Sequence, residues 1–509
     1  MTVLTAEEMR ETDRSASEDC GIPPSILMEH AAIAVCRIIR QEYPDAVKIA
    51  VICGKGNNGG DGIAAARILK GCFLEPVICL ALGEDRMSEL AAMNLDIIRK
   101  TASVPILPFK KSIEDADLIV DALFGTGFKG TVSGTAAEII DSINALGKPV
   151  VSIDIPSGLN ADTGRVSGTC IRADVTVAAA YAKRCFFLYP GSKLSARLFI
   201  ADIGIPDCAD SACSIPDPLL LAEWMPHRKK NDWKGSSGRL FVLAGSDQYT
   251  GAPAFCCRAA MRAGCGMVYL AVPDSIEPIM RSKLNEEIII PYNENNFENI
   301  FEIANKCDAA VIGSGMGNSP LTKKLVSLFL KETAIPSVID ADALYPELIL
   351  PTVQRGKYVL TPHAGEMARL LDKTVEEICF DPIEAAKEAA SVFRSAVIMK
   401  GPNSITALPE GYFYFNPTGC EALATAGSGD VLSGIIGAMA SKGCSPEEAA
   451  VLGCFIHGAA GDYASEDIGI NGVTASDIIN FIPKASDVLL SKDSSKIENM
   501  MKIGKVSIL

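Results

Sequence analysis

Short runs of apolar and β-branched residues alternate with alanine-rich amphipathic stretches along the whole chain. This alternation predicts successive βα units and therefore an α/β protein. The runs contain few polar residues, which is typical of parallel strands covered by helices on both faces. The predicted strands of the first half are 47–54, 76–82, 118–125, 149–156, 175–181 and 197–204. Those of the second half are 239–245, 267–273, 309–315, 337–344, 358–363 and 395–401, followed by a hairpin at 404–415.

The pattern breaks at residues 205–218, which contain three prolines, three aspartates and little periodicity. This composition favours a linker, so we expect two domains that span residues 1–210 and 219–509. The motifs of the two halves differ, and the chain is therefore predicted to be a fusion rather than a duplication. The last stretch, 491–509, is polar and typical of a chain end that frays.

Composition narrows the possible partners of the 509-residue chain. Its net charge of −15 argues against nucleic acids and membrane surfaces as partners. The 17 cysteines form no CxxC pair and there are only four histidines, which argues against a zinc site. We expect free thiols in a reducing cytoplasm, small-molecule substrates, no nucleic-acid or membrane partner, and a homo-oligomer.

A glycine-rich turn at residues 54–62, GKGNNGGDG, contains Asp61 between a predicted strand and a predicted helix. Asp121 and residues 125–127 end a second strand, and Asp154 and Ser157 follow a third. The carboxyl ends of parallel strands meet at one edge of a sheet, where ligands bind. Glycine permits close approach of the backbone, and the N–H groups of a helix start face an anion. These residues predict a phosphate cradle beside an oxygen-lined cation site.

The second half contains a different motif, ATAGSGDVLSG at residues 424–434. The N–H groups of residues 427–429 would form an anion hole at a helix start, with Asp430 beside it. This combination suits phosphoryl transfer, because the N–H groups stabilise the transferred group and the carboxylate accepts a hydroxyl proton. Lys400 follows a predicted strand and suits a nucleotide phosphate, although it could be a surface lysine. His363 also follows a strand, and a packed or capping histidine is the alternative.

The strings GKGNNGGDG, DALFGTG and SIDIPSGLNADTG together resemble the YjeF N-terminal family, the epimerases that act on hydrated NADH and NADPH. The resemblance covers roughly residues 1–205 and implies a Rossmann-like three-layer fold. It implies that Asp154 is the acid/base group at the damaged nicotinamide ring, since epimerisation at a hydroxyl-bearing carbon needs proton movement. Potassium would be coordinated by Asn58, Asp121 and Ser157. The residues implied to contact the hydrated nucleotide are Asn57, Asn58, Gly59, Gly60, Asp61, Gly125, Thr126, Gly127, Phe128, Lys129, Gly130, Thr131 and Asp154.

Lys183 falls where this family often has a lysine. A solvated lysine at a strand end is at least as good an interpretation.

Strings from residue 234 to residue 434 resemble, in order, the YjeF C-terminal family of ADP- or ATP-dependent dehydratases of hydrated NAD(P)H, with a ribokinase-like fold. They are KGSSGRLFVLAGS, IGSGMG, LTPHAGEMARLL, KGPNS and ATAGSGDVLSG, among others. The resemblance implies that Asp430 activates the substrate hydroxyl and that Mg²⁺ serves the transfer. The hydrated nucleotide would contact Ala252, Gly315, Gly317, His363 and Asp430. The adenine nucleotide would be held by Lys400, Gly401, Pro402, Asn403, Ser404 and Gly429.

The two resemblances together imply one repair activity in two steps. The nicotinamide ring hydrates to give two epimers, and a dehydratase that acts on one epimer needs an epimerase to recruit the other. ADP would be the phosphate donor and would leave as AMP. Two alternatives stay open: a ribokinase-like small-molecule kinase fused to an α/β module, and a first half that is a non-catalytic nucleotide-binding domain.

Overall fold

The computed structural model describes residues 1–206, 209–353 and 356–506. Contacts divide the chain into two compact units. The first unit contains Thr2–Ser211 and the segment that starts at Lys502, and the second contains Met1 and Ala212–Met501. The division at residue 211 falls inside the stretch predicted as a linker, of which residues 207 and 208 lie outside the described part.

The first unit is built on a parallel sheet whose strands follow one another in the order β8-β6-β5-β4-β2-β3, and β1 pairs with β7 separately. The strands are β1 (Val3–Leu4), β2 (Lys48–Cys53), β3 (Glu75–Leu80), β4 (Leu118–Ala122), β5 (Val150–Ile153), β6 (Val175–Ala179), β7 (Ala182–Lys183) and β8 (Arg197–Ala201). The helices are α1 (Ala6–Glu18), α2 (Pro24–Glu42), α3 (Asn57–Gly71), α4 (Glu89–Thr101), α5 (Phe109–Ile113), α6 (Gly134–Ala145) and α7 (Gly191–Ser195).

Strand β2 shows why this sheet is covered on both faces. Ile49, Val51 and Cys53 lie in one hydrophobic cluster, which includes side chains of α2, α3 and α4. Ala50 and Ile52 point the other way into a second cluster, which α6 completes. Since side chains alternate along a strand, an unbroken apolar run serves both clusters. The first unit is therefore a three-layer α/β fold with a buried sheet.

The second unit has a ten-stranded sheet in the order β12-β11-β10-β13-β14-β15-β16-β17-β18-β9. The pairs from β12 to β16 are parallel, and β17 is antiparallel to both of its neighbours. The strands are β9 (Cys213–Ser214), β10 (Arg239–Leu243), β11 (Met267–Pro273), β12 (Ile288–Tyr292), β13 (Ala309–Ile312), β14 (Ser337–Ile339), β15 (Tyr358–Leu360), β16 (Ala396–Met399), β17 (Ile405–Ala407) and β18 (Phe413–Phe415).

Helices on the second sheet carry the motifs predicted from the second half of the sequence. They are α8 (Pro218–Trp224), α9 (Ala252–Arg262), α10 (Glu277–Lys283), α11 (Asn299–Ala304), α12 (Pro320–Glu332), α13 (Pro346–Ile349), α14 (Ala364–Leu371), α15 (Val375–Phe380), α16 (Pro382–Phe393), α17 (Ser428–Ser441), α18 (Pro446–Ile468), α19 (Ala475–Leu490) and α20 (Ser494–Met501). Helix α17 begins inside the GSGD motif, as predicted. Among the described helices, none is long and apolar enough to cross a lipid bilayer.

The chain end forms a strand that belongs to the first unit. Strand β19 (Ile503–Val506) pairs in parallel with β8 and becomes the seventh strand of that sheet. The prediction of a fraying end is therefore wrong for residues 494–506, which form α20 and β19; residues 507–509 lie outside the described part.

The predicted strands and the hairpin at 404–415 are present. Sequence reasoning missed β1, β7, β9, β12 and β19. The predicted α/β class with parallel sheets is confirmed.

Candidate functional site

The glycine-rich turn of the first unit joins β2 to α3 at the carboxyl edge of the sheet. Helix α3 begins at Asn57, and Gly56 precedes it in an extended conformation. A side chain is impossible at Gly54, because a Cβ there would lie 1.9 Å from the carbonyl oxygen of Leu123. At Gly59 a Cβ would lie 2.1 Å from the carbonyl oxygen of Gly54. The turn is therefore closed tightly enough to direct the first N–H groups of α3 outward.

Asp154 occupies the end of β5 in a strained conformation with φ +66°. Such values are uncommon outside glycine and cluster at functional sites. Its Oδ1 accepts a hydrogen bond of 2.6 Å from Nζ of Lys183, and its Oδ2 accepts one of 3.2 Å from the Thr126 N–H. Lys183 also donates to the Ala179 carbonyl at 2.8 Å, and its side chain is 1% exposed. The alternative of a solvated lysine is therefore wrong.

A cavity of about 810 Å³ opens at this edge of the first sheet. Most of the predicted nucleotide contacts line it: Asn57, Asn58, Asp61, Gly125, Thr126, Gly127, Phe128 and Asp154. The predicted contacts that do not line it are Gly59, Gly60, Lys129, Gly130 and Thr131. Gly60 instead packs against the Met28 side chain, where a Cβ would lie 2.8 Å from the terminal methyl group.

Two further carboxylates share the cavity with the Asp154–Lys183 pair. Burial raises the pKa of Asp61 well above its ordinary value; the nearby Asp154 and Asp13 add to this, and Lys183 opposes it. Burial also raises the pKa of Asp13 to about 6. Asp13 was missed from the sequence, because it lies in the amphipathic helix α1 among surface carboxylates that look the same.

The three predicted potassium ligands occupy the ends of neighbouring elements, but they are bonded differently. Asp121 is fully buried and accepts hydrogen bonds from the Ser157 hydroxyl at 2.6 Å, the Ser157 N–H at 2.9 Å and the Ser152 hydroxyl at 2.8 Å. Ser157 in turn accepts from the Phe124 N–H at 2.8 Å. The amide oxygen and nitrogen of Asn58 are both buried and have no hydrogen-bond partner. Buried amides of this kind are normally hydrogen-bonded, so the Asn58 side chain has donor and acceptor capacity left at this edge of the sheet.

In the second unit, Gly427 adopts φ +89° immediately before α17. A Cβ there would meet the Phe255 ring at 2.6 Å, so only glycine fits. Asp430 lies in the first turn of α17. Burial raises the pKa of Asp430 to about 7, and Asp340 adds to this while Ser314 and Lys400 oppose it. A carboxyl group with this pKa can accept a proton near neutral pH.

The side chain of Lys400, the first residue of the KGPNS turn, lies close to the GSGD motif. Its Nζ lies 3.0 Å from Oδ1 of Asp340 and 3.6 Å from Oε2 of Glu366. A Cβ on Gly429 would lie 3.6 Å from the same Nζ. The ammonium group therefore faces the start of α17, and the alternative of a surface lysine is wrong. Burial lowers the pKa of Lys400, but Asp340 and Glu366 outweigh it and the net shift is upward.

The remaining residues of the KGPNS turn lie between β16 and β17. Gly401 and Pro402 are exposed, and Asn403 and Ser404 are half-buried.

Asp340 and Glu366 were not predicted: Asp340 directly follows β14, and Glu366 lies in the first turn of α14. Asp340 is 2% exposed and also accepts hydrogen bonds from Thr361 and Ser433, each of 2.8 Å. Glu366 is 8% exposed. An acidic residue at a strand end or in the first turn of a helix was the signal that could have found them.

The structure places four of the predicted substrate contacts of the second unit: Ala252, Gly315, Gly317 and His363. A Cβ on Gly315 would lie 2.9 Å from Cβ of Ala252, so these two residues are in contact. The Gly317 N–H donates to Oδ2 of Asp342 at 2.8 Å. His363 caps α14, where its Nδ1 accepts a 3.0 Å hydrogen bond from the Gly365 N–H. The capping alternative for His363 is thus confirmed, and its contact with substrate stays a prediction.

Comparisons with known proteins agree with the division of motifs between the units. Residues 24–185 match the YjeF-related protein N-terminus family, and residues 240–484 match the NAD(P)H-hydrate dehydratase family. The bifunctional NAD(P)H-hydrate repair enzyme of Moorella thermoacetica is 39% identical over 95% of this chain and 96% of its own. The enzyme of the same name from Escherichia coli is 32% identical over 95% and 93%. A solved ADP/ATP-dependent NAD(P)H-hydrate dehydratase from Bacillus subtilis is 26% identical over 54% and 99%, with a TM-score of 0.47.

The fold and the two carboxylate sites define an α/β enzyme with two catalytic units for nucleotide-like substrates. The relatives exceed 30% identity over nearly the whole chain, and the chain therefore belongs to the family of bifunctional NAD(P)H-hydrate repair enzymes. This membership confirms both resemblances and the prediction of an enzyme with epimerase and dehydratase regions.

Proposed function

We propose that the first unit interconverts the two epimers of hydrated NADH and NADPH, and that the second unit dehydrates one of them with ADP as the phosphate donor. One observation carries the proposal. Each unit has its own carboxylate with a lysine nearby, the buried Lys183 beside Asp154 and the half-buried Lys400 near Asp430. The residues named at each site belong to a single unit, which supports two separate chemical steps.

In the epimerase site, Asp154 is proposed to move the proton at the hydroxyl-bearing ring carbon. Lys183 Nζ donates a 2.6 Å hydrogen bond to Oδ1 of Asp154 and holds the carboxylate in place as the proposed base. The strained backbone and the Thr126 N–H fix the direction in which its second oxygen points. The first N–H groups of α3 suit the diphosphate of the substrate.

A potassium ion fits the donor set next to this cavity. Asn58 contributes an amide oxygen that otherwise has no partner, and Asp121 and Ser157 contribute a carboxylate and a hydroxyl. Oxygen donors of this type suit a hard cation. The bound ion would supply positive charge next to the substrate phosphates, and the side chain of Asn58 would be satisfied.

In the dehydratase site, Asp430 is proposed to accept the proton of the substrate hydroxyl. The hydroxyl oxygen then attacks the terminal phosphorus of ADP, the bond between the two phosphates breaks, and AMP leaves. The N–H groups at the start of α17 and the Lys400 ammonium stabilise the charge of the transferred group. Cleavage of the ring C–O bond that now carries the phosphate, with loss of a proton from the adjacent ring carbon, releases inorganic phosphate and restores the reduced nicotinamide.

A magnesium ion also fits this site. Mg²⁺ is usually held by one or two carboxylates together with substrate phosphates. Asp340 and Glu366 are two buried carboxylates on either side of Lys400, and they would hold the ion. The ion would supply neutralising charge for the phosphates of ADP.

The test is to mix both hydrate epimers with ADP and Mg²⁺ and to follow the near-ultraviolet absorbance of reduced nicotinamide. Full recovery from both epimers, with one AMP and one phosphate per molecule repaired, is expected. A small-molecule kinase would instead accept a free alcohol and release a stable phosphoester. A non-catalytic first unit would leave one epimer unrepaired at the end of the reaction.

A further inference from the structure

The loop that leads into the GSGD motif lies directly on helix α18. Two glycines of this helix leave room for the loop. A Cβ on Gly458 would lie 2.3 Å from Oγ1 of Thr418, and a Cβ on Gly461 would lie 2.4 Å from a methyl group of Leu423. Neither helix residue can carry a side chain while the loop stays where it is.

Hydrogen bonds fix the start of the loop to the same face of α18. Asn416 Nδ2 donates to the Cys454 carbonyl at 3.1 Å, and Thr418 Oγ1 donates to the Phe455 carbonyl at 2.9 Å. The Gly419 N–H donates to Oδ2 of Asp462 at 2.8 Å. These contacts attach residues 416–419 to one face of the helix.

His457 reaches the other end of the loop. It is 9% exposed, and its Nε2 lies 3.1 Å from Oγ of Ser428, which is 6% exposed. Ser428 is the first residue of α17, and Gly429 and Asp430 follow it directly. Burial lowers the pKa of His457 to about 4, so the imidazole is neutral at pH 7 and places no fixed charge behind the anion hole.

We infer that His457 and Asp462 of α18 are positioning residues of the dehydratase: together they fix the loop whose end presents the phosphate-holding N–H groups. Neither touches the reacting atoms. Asp462 fixes the start of the loop and His457 fixes its end. This inference rests on the proposed phosphoryl transfer at the N-terminal end of α17. It identifies α18 as the helix that fixes the geometry of that end of α17.

The test compares three substitutions of His457 in the full-length protein. His457→Gln places an amide nitrogen where Nε2 lies, so it should keep the contact with Ser428 and stay within about threefold of the parent. His457→Asn is equally polar but too short, and His457→Leu has no donor or acceptor. Both should raise KM for ADP and lower kcat/KM by roughly tenfold, as expected for one lost hydrogen bond that orients a loop. Ile456→Val is the matched control, because Ile456 is a buried apolar residue at the adjacent position of α18 and its side chain has no donor or acceptor for the loop.

The two kinds of failure are distinguishable. If the parent protein shows no ADP-dependent repair, the proposed function is wrong whatever the variants do. If the parent is active and the asparagine and leucine variants lower only the melting temperature, with KM and kcat within twofold, His457 is merely structural and the inference is overturned. Equal losses in the glutamine and leucine variants would also overturn it. Asp462→Ala should reproduce the KM effect, and epimerase activity should stay unchanged in every variant.

Discussion

Lys183 and Asp154 form a buried ion pair in the first unit, with Nζ 2.6 Å from Oδ1. The two residues are separated by 29 positions along the chain and lie at the ends of different strands. Because Lys183 also donates to the Ala179 carbonyl, its ammonium group is fixed and cannot turn away. The pair therefore holds the Asp154 carboxylate in a fixed orientation beside a positive charge.

The first prediction is that Lys183→Met lowers the rate of epimer interconversion by ~10²–10³, since a positioned base loses its orienting partner. Chromatographic separation of the two epimers measures this rate directly. ADP-dependent repair of the epimer that the second unit accepts should be unchanged. Lys193→Met, at an exposed position of the same unit, is the control. Parent-like interconversion by folded Lys183→Met protein would remove Lys183 from the mechanism.

The second prediction concerns pH. Burial raises the pKa of Asp430 to about 7, so its basic form is populated only above that pH. We expect kcat/KM of the dehydratase to rise tenfold per pH unit below about 7 and to level off above it. Asp430→Asn should lower the ADP-dependent rate by ~10²–10⁴ and abolish this dependence, while epimerisation continues. A flat profile in the parent protein would contradict the assignment of Asp430 as the base.

The same pKa has a consequence for stability. The pKa of Asp430 is higher in the folded protein than in the unfolded chain, so the folded state binds this proton more tightly. The associated stabilisation is complete below the unfolded pKa and is lost as pH rises towards 7. Asp430→Asn removes this titration, and its melting temperature should therefore fall less than that of the parent between pH 4 and pH 7. An identical pH dependence in both proteins would contradict the shift.

Sequence patterns predicted the sheets well where strands are continuously apolar. They failed for β12, whose five residues are only partly buried and end at a proline and a tyrosine, and for two-residue strands. Strand β19 was missed because Ile503–Val506 is short, half polar and far along the chain from its partner β8. Such pairings depend on tertiary contacts, which local pattern does not report.

The candidate sites were predictable where a motif coincides with a strand end, as at Asp154, or with a helix start, as at Asp430. The neighbouring charged residues of the two sites were not predicted. Asp340 was overlooked although it ends β14, and Asp13 comes from a helix with no distinguishing pattern. His457 lies in the middle of the long helix α18, where its role appears only once the GSGD loop is placed on that helix.

The third prediction concerns the cation. Asn58 has a buried amide with no partner, so crystals grown with a potassium salt should show an ion bonded to its Oδ1. Anomalous scattering after exchange to rubidium or thallium identifies the ion. Asn58→Ala should lose the ion and lower epimerase activity, with no effect on the dehydratase. Zinc at this position, or no density among Asn58, Asp121 and Ser157, would count against a potassium site.

The fourth prediction concerns the strand at the end of the chain. Gly504 of β19 lies beneath the ring of Phe199 on β8, where a Cβ would come within 2.2 Å of the ring. Phe199 is 8% exposed, so the ring has little room to move. Gly504→Ala should therefore destabilise the first unit by about 1–3 kcal/mol, the usual cost of overpacking. Thermal unfolding followed through the loss of epimerase activity measures this.

Gly71→Ala is the matched control for that substitution, because a Cβ at the end of α3 meets nothing within 4 Å. Truncation after Met501 should destabilise the first unit further, since it removes the whole strand and leaves the backbone of β8 unpaired along one edge. In Gly504→Ala and in the truncated protein, the dehydratase should keep its activity at temperatures at which the epimerase activity is lost. If the thermal stability of the epimerase is unchanged after truncation, the pairing of Ile503–Val506 with β8 does not stabilise the first unit in solution.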